Sequence, residues 1–366
     1  MKNKSKVLTI IIAALMSLIT LACWALPKQE YSESERRPLE EKPEFSAQTI
    51  LSGEYMEGFE KYVVDHFPKR DGFRRVKALF SEYIFNKKDN NSLYFADGHL
   101  SKLEYPQNAE MLDYAQERFD FLYNTYLKDK NVNVYLSVVP DKNYFLAEKN
   151  GYLSIDYDEF IENFKHRVDY MSYIDLVPLL SIDDFYRTDS HWKQENIVDI
   201  AEFIAESMGT SASSEYTVNT LEKPFNGVYL GQSALPVEPD TIRYLTNDIL
   251  DACTVNYYDT GKAVGGDLYN MEKAMGKDAY EMFLSGTTPL VEIINENAAS
   301  EKELVVFRDS YASSLVPLLV PGYSKITVVD IRYMQSNFVG NFIDFDNQDV
   351  YFIYSTTLLN NSLAMH

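Results

Sequence analysis

Two short stretches bring together residue types that can do acyl chemistry. YRTDSHW at 186–192 sets Asp189 two residues before His191. In an extended segment, side chains two apart point the same way, so the Asp189 carboxylate can reach one imidazole nitrogen and fix the tautomer. The other nitrogen is then left to act as a base. FRDSY at 307–311 sets Ser310 where an apolar run turns into a helical pattern. A serine at such a turn presents its hydroxyl at the carboxyl edge of a sheet, close to helix-start amides that can hold an oxyanion. The two stretches therefore supply a nucleophile, a base and an orienting acid. Plainer roles exist for the same residues: Asp189 as a helix N-cap with His191 on the surface, and Asp309-Ser310 as a helix-start pair.

Four neighbours are candidate substrate-binding residues. Lys142 follows Pro140 at a strand end and either lines the same edge or stands exposed. Trp192 is a sugar platform or packing. Arg308 stands beside the nucleophile, where it could narrow the oxyanion pocket or bind an anionic group, and Tyr311 follows it closely. The five histidines, His66, His99, His166, His191 and His366, are scattered without ligand spacing, so neither a zinc site nor another cofactor is expected.

The elements that must position these groups are readable from periodicity. Residues 53–84 repeat apolar positions as a helix does until Pro68 interrupts them. A short β region at 92–95 meets an Asp97-Gly98 turn, and 108–128 and 157–170 read as amphipathic helices. NVYLSVV at 133–139 is an apolar strand stopping at Pro140, and 195–208 is a further helix. Near the carboxyl end, 304–307, 326–329 and 350–354 read as strands, with a helix at 310–320 between the first two. Strand, turn, helix, strand is a βαβ unit, whose ligand-facing groups lie at the carboxyl ends of the strands. The expected class is α/β with a central parallel sheet flanked by helices. Residues 225–280 mix glycine turns and short strands and are expected as an insertion over the sheet, with Gly227, Gly265 and Gly266 as turn glycines.

The start of the chain carries a different signal. Lys2, Lys4 and Lys6 precede an uncharged run at 7–26, the ~20 apolar residues a spanning helix needs. Cations before it and acids after it predict an uncleaved signal anchor with the remainder outside the cytoplasm. Lipidation at Cys23 would call for Leu and a small residue three and two positions upstream, where Thr20 and Leu21 stand. Residues 27–52, charged and proline-punctuated, read as a linker, and 53–366 as one extracytoplasmic domain. Of 366 residues, 46% are hydrophobic and 14% aromatic, which excludes a mainly disordered chain. A net charge of −21, or −24 beyond residue 26, repels phosphate backbones, so no nucleic-acid partner is expected. Only Cys253 lies beyond the membrane segment, so no intrachain disulfide is expected there.

Asp-x-His-Trp at 189–192 after an aromatic-Arg lead-in, followed some hundred residues later by a strand and Asp-Ser-aromatic, resembles the DHHW-motif family. That family is similar to the SGNH-like acetyltransferase domains of alginate O-acetylation. Further echoes are SERRPL at 34–39, DHFPKR at 65–70, DGHL at 97–100 and VVPDK at 138–142. The resemblance implies an SGNH-hydrolase-like fold, with Ser310 as nucleophile, His191 as general base and Asp189 as its orienting partner. It implies O-acetyl transfer to or from a cell-surface polysaccharide, with a membrane-bound O-acyltransferase as acyl donor. The sequence departs from the pattern at Ser190, where the family has His, and at Arg308, where the acetyltransferases have Gly. A noncatalytic cell-envelope binding or scaffold protein on the same fold is the alternative.

Overall fold

The computed structural model describes residues 2–25, 28–85, 87–213, 215–298 and 300–366. Leu26 and Pro27, at the expected junction of anchor and linker, lie outside them. Contacts divide the chain into two compact units, Met1–Asn91 with Leu230–Val237, and Ser92–Tyr229 with Glu238–His366.

The first unit begins with the helix Lys2–Ala25. Its stretch Ser5–Cys23, with mean hydropathy 2.3, is long and apolar enough to cross a membrane, and no other helix among the described residues is. Part of the charged stretch expected as a linker is folded. Tyr31–Ser32 pairs antiparallel with Arg37–Pro38, and Ala47–Ser52 is a helix capped by Ser46. Gly53, at φ 86°, ends that helix in the left-handed conformation that only glycine adopts freely. Helices Glu54–Asp65 and Arg70–Leu79 follow, parted where Pro68 removes an amide donor. Charge holds the unit together: Asp65 accepts a forked pair of hydrogen bonds from Arg37, each 2.7 Å, and Glu35 pairs with Arg37, Arg70 and Arg74.

The second unit is built on an eight-stranded sheet. Its strands in chain order are β1 (Asn133–Val139), β2 (Ser172–Tyr173), β3 (Thr254–Tyr257), β4 (Val264–Gly266), β5 (Leu290–Ile294), β6 (Glu303–Arg308), β7 (Lys325–Val329) and β8 (Asp349–Ser355). The spatial order is β4-β3-β5-β7-β6-β8-β1-β2. From β7 to β2 every pair is parallel, and β4, β3 and β5 add an antiparallel edge. Residues 254–266, expected to lie over the sheet, instead extend it, and Gly265 and Gly266 sit in a strand rather than a turn.

Successive side chains of a strand face opposite ways, and in the parallel strands both faces are apolar. In β6, Leu304 and Val306 join one core with the helices Val198–Ser207 and Ala312–Leu319. Val305 and Phe307 join the other with Ala109–Leu122 and Tyr157–Arg167. Each large side chain so buried contributes roughly 1.5–3 kcal/mol of transfer free energy. This two-sided burial fixes the register and hence the height at which each strand ends.

Candidate active site

The carboxyl end of β6 passes into the helix Ala312–Leu319 through Asp309, Ser310 and Tyr311. Asp309 shapes the turn. Its Oδ1 accepts from the Tyr311 amide (3.0 Å), its Oδ2 accepts from the Ser355 amide at the end of β8 (2.8 Å), and its own amide donates to Ile353 (3.3 Å). With both oxygens occupied, the buried Asp309 ties the Ser310 turn to the neighbouring strand. Ser310 is left partly exposed at the sheet's rim.

The second stretch is an irregular loop fastened at both ends. Phe185 and Trp192 form an antiparallel bridge, and the Tyr186 amide donates to the His191 carbonyl (3.0 Å). Between them, Asp240 accepts from the amides of Arg187 (2.9 Å) and Thr188 (2.7 Å) and from the Thr188 hydroxyl. Asp189 is 1% exposed; its Oδ1 lies 2.6 Å from His191 Nδ1 and its Oδ2 accepts from the Val228 amide (2.8 Å). His191 Nε2 lies 2.7 Å from Ser310 Oγ. A carboxylate only accepts, so Nδ1 carries the proton and the Nε2 lone pair faces the serine hydroxyl. The Tyr280 ring stacks flat on the imidazole at 3.9 Å, and its hydroxyl donates to the Ser310 carbonyl (3.2 Å). The arrangement can remove a proton from Ser310 and return it to a leaving group.

Ser310, His191 and Asp189 are thus brought together; the four flanking candidates are not presented to solvent. Trp192 is fully buried and its indole nitrogen donates to the Tyr311 carbonyl (2.9 Å) and Ser314 Oγ (3.1 Å), so it packs rather than offering a platform. Tyr311 is 4% exposed and its hydroxyl donates to the Ser190 carbonyl (2.7 Å), bracing the loop.

Arg308 turns inward. It donates to Ser313 Oγ (2.8 Å) and the Gly286 carbonyl (3.1 Å) and pairs with Asp330 (3.8 Å), because a buried guanidinium must find partners. It neither narrows the rim nor awaits an anion. Ser190 Oγ lies 3.4 Å from Nδ1, on the Asp189 side of the ring rather than the Ser310 side.

Lys142, one alternative for which was an exposed side chain, is 1% exposed. Asp141 caps a helix Lys142–Asn150 that periodicity did not reveal, and this turns the ammonium inward onto the carbonyls of Tyr186 (2.9 Å) and Arg187 (3.3 Å). Burial pushes its pKa down to about 7, against the attraction of Asp189 and Asp240.

Val228, Asp240 and Tyr280 carry roles that the sequence did not point to, and Gly227, expected as a turn glycine, has a different one. A Cβ on Gly227 would stand 2.3 Å from the Thr188 carbonyl and 2.4 Å from the Asp189 amide, so glycine is required for close approach rather than for a turn. Asp240 and Tyr280 carry no local signal, since their partners are 52 and 30 residues away in sequence.

No protein-family model and no curated protein matches the sequence. Among solved structures, it is similar to a DHHW family protein from Eubacterium siraeum, with a TM-score of 0.60 and 24% identity over 75% of this chain and 94% of that one. The chain has the fold of that DHHW protein. Bacillus cereus PatB1 is similar at a TM-score of 0.58 and 18% identity, over 73% of this chain and 96% of its own. PatB1 with a sulfonyl adduct gives 0.57 and 17%, over 73% and 97%. At these identities the likeness is one of fold.

Proposed function

We propose that this protein is an extracytoplasmic, serine-dependent acyl-transfer enzyme, anchored by its apolar helix, that moves an acetyl group to or from a cell-surface polysaccharide. The observation that carries the reading is the continuous relay from Ser310 Oγ through His191 to Asp189, at 2.7 and 2.6 Å. The acceptor class comes from the DHHW resemblance and its kinship with O-acetyltransferase domains.

His191 Nε2 takes the Ser310 proton as Oγ attacks the acyl carbonyl, and the Ser310 amide at the helix start holds the oxyanion. The tetrahedral intermediate collapses, the leaving oxygen takes the proton from Nε2, and an acyl ester remains on Ser310. A sugar hydroxyl, deprotonated by the same nitrogen, then accepts the acyl group; water in its place makes the site an esterase. Asp189 keeps the tautomer and stabilises the imidazolium in both halves. Because acetyl-CoA is not found outside the cell, the donor is assigned to a membrane-bound O-acyltransferase partner.

The test is hydrolysis of 4-nitrophenyl acetate by the detergent-solubilised full chain and by Ser310→Ala, which should lose activity by about a thousand-fold or more. Equal rates would favour the noncatalytic envelope protein. A sulfonyl fluoride, the reagent class suggested by the adduct on PatB1, should add its mass to the peptide bearing Ser310 and to no other.

A further inference from the structure

The first unit contains a helix packed inside out. The helix Arg70–Leu79 runs on as a π turn, Phe80–Ile84; its inward positions are Arg70 and Arg74, whose side chains sit against Glu35, Asp65 and the carbonyls of Gly231 and Gln232, and the buried Ala78 and Ser81. The outward positions are apolar: Phe73 is 57% exposed, Val76 51%, Phe80 47%, Ile84 64% and Phe85 67%. Spacings of three, four and four place the first four on one stripe of the helix. A water-facing helix has the opposite pattern, and a contiguous apolar stripe of this length marks a contact surface.

Charge says what the stripe meets. Residues 69–88 hold seven cations and two acids; with Arg70 and Arg74 turned inward onto Glu35 and Asp65, five cations against two acids remain, in a chain of −21. Lys69, Arg75, Lys77 and Lys87 are exposed beside the stripe. Position says the same. In this unit Ala22 and Cys23, where the membrane-length stretch Ser5–Cys23 ends, line a cavity of about 670 Å³ together with His66, Pro68, Arg70 and Gly72. The first turn of the inverted helix therefore lies beside the end of the apolar helix, which on the anchoring reading is where the chain leaves the bilayer.

We propose that the outward face of residues 70–85 is a membrane-contact surface, lying on an anionic phospholipid bilayer beside the exit point of the apolar helix. Apolar side chains enter the headgroup boundary and flanking cations meet lipid phosphates, the arrangement of an interfacial amphipathic helix. The inference rests on the anchoring reading of Ser5–Cys23.

The test uses the full chain in vesicles of phosphatidylcholine alone or with phosphatidylglycerol at about three parts in ten. In a Cys23→Ser, Cys253→Ala background, an environment-sensitive fluorophore is placed at Phe73→Cys, with Val76→Cys as a second position. Asp344→Cys serves as the control, its native side chain being 99% exposed. Lipid carrying a spin label should quench at least about half of the emission at 73 or 76 in the anionic vesicles, and under about a tenth at 344. Arg75→Glu with Lys77→Glu should return that quenching to the level seen in phosphatidylcholine alone.

Flotation that survives a carbonate wash reads the anchor separately. Loss of flotation with quenching intact before the wash overturns the anchor and keeps the surface. A floated protein whose label stays in water overturns the surface. A label shielded only in native membranes would overturn it in favour of a membrane-protein partner.

Discussion

Gly227 carries a requirement that can be measured. Its backbone passes so close to Thr188 that the adjacent Val228 amide can hold Asp189 Oδ2. Gly227→Ala would push the two segments apart and free the carboxylate to rotate away from His191. The expected result is a fall in kcat of about ten- to a hundred-fold with little change in KM, since orientation rather than substrate contact is lost. Lys142 gives a second prediction, on stability. Its ordinary pKa of 10.5 falls to about 7 in the fold. Between these values the unfolded chain binds the extra proton, so stability rises as pH rises, and below about 7 the burial cost is present in full. Lys142→Met should flatten the rise in urea midpoint between about pH 7 and 9. An unchanged slope would mean that the ammonium is not held in a dry site.

At the scale of elements, the acid sensitivity of the first unit follows from Asp65. The hydrogen bonds from Arg37 hold its pKa down to about 2 against an ordinary 3.8, so its contribution to stability is present above about pH 4 and is lost as pH falls towards 2. Protection factors of the amides in Glu54–Asp65 and Arg70–Leu79, taken against the intrinsic exchange rate at each pH, should fall over that interval in the native protein, and Asp65→Asn should show the low protection already at neutral pH. Four of the five parallel strands were legible because burial on both faces leaves uninterrupted apolar runs such as LVVF at 304–307, whereas the two-residue β2 was not. Strand β5 was not: its Glu292 breaks a five-residue run, and its pairing with β7 is a tertiary fact. The relay was legible as residue types at turns, whereas its supports were not. Asp240 reads as any surface carboxylate until the chain brings it to Thr188. The fates of Lys142 and Arg308 were hidden for a related reason: whether a cation faces water or a dry partner depends on packing distant in sequence.

Across the whole molecule, strand order sets which part of the chain is indispensable. Strand β8 lies between β6 and β1, and the amide of Ser355 at its end binds Asp309 beside Ser310. Removing residues 349–366 therefore takes a strand from the middle of the parallel half, not from an edge. Such a truncation should lose cooperative thermal unfolding and all reaction of Ser310 with sulfonyl fluoride. Deleting only the exposed edge residues 261–266 should lower the melting temperature by no more than a few degrees, about what 1 kcal/mol does to a large domain.

The same placement has a bearing on export. Translation delivers Asp189 and His191 first, Ser310 later and β8 after every other strand of the sheet, so the export proposed above would carry most of this length through a membrane pore without an assembled centre. On the acyl-transfer reading proposed above, reactivity would switch on only after β8 has crossed and slotted between the two strands that have been waiting for it.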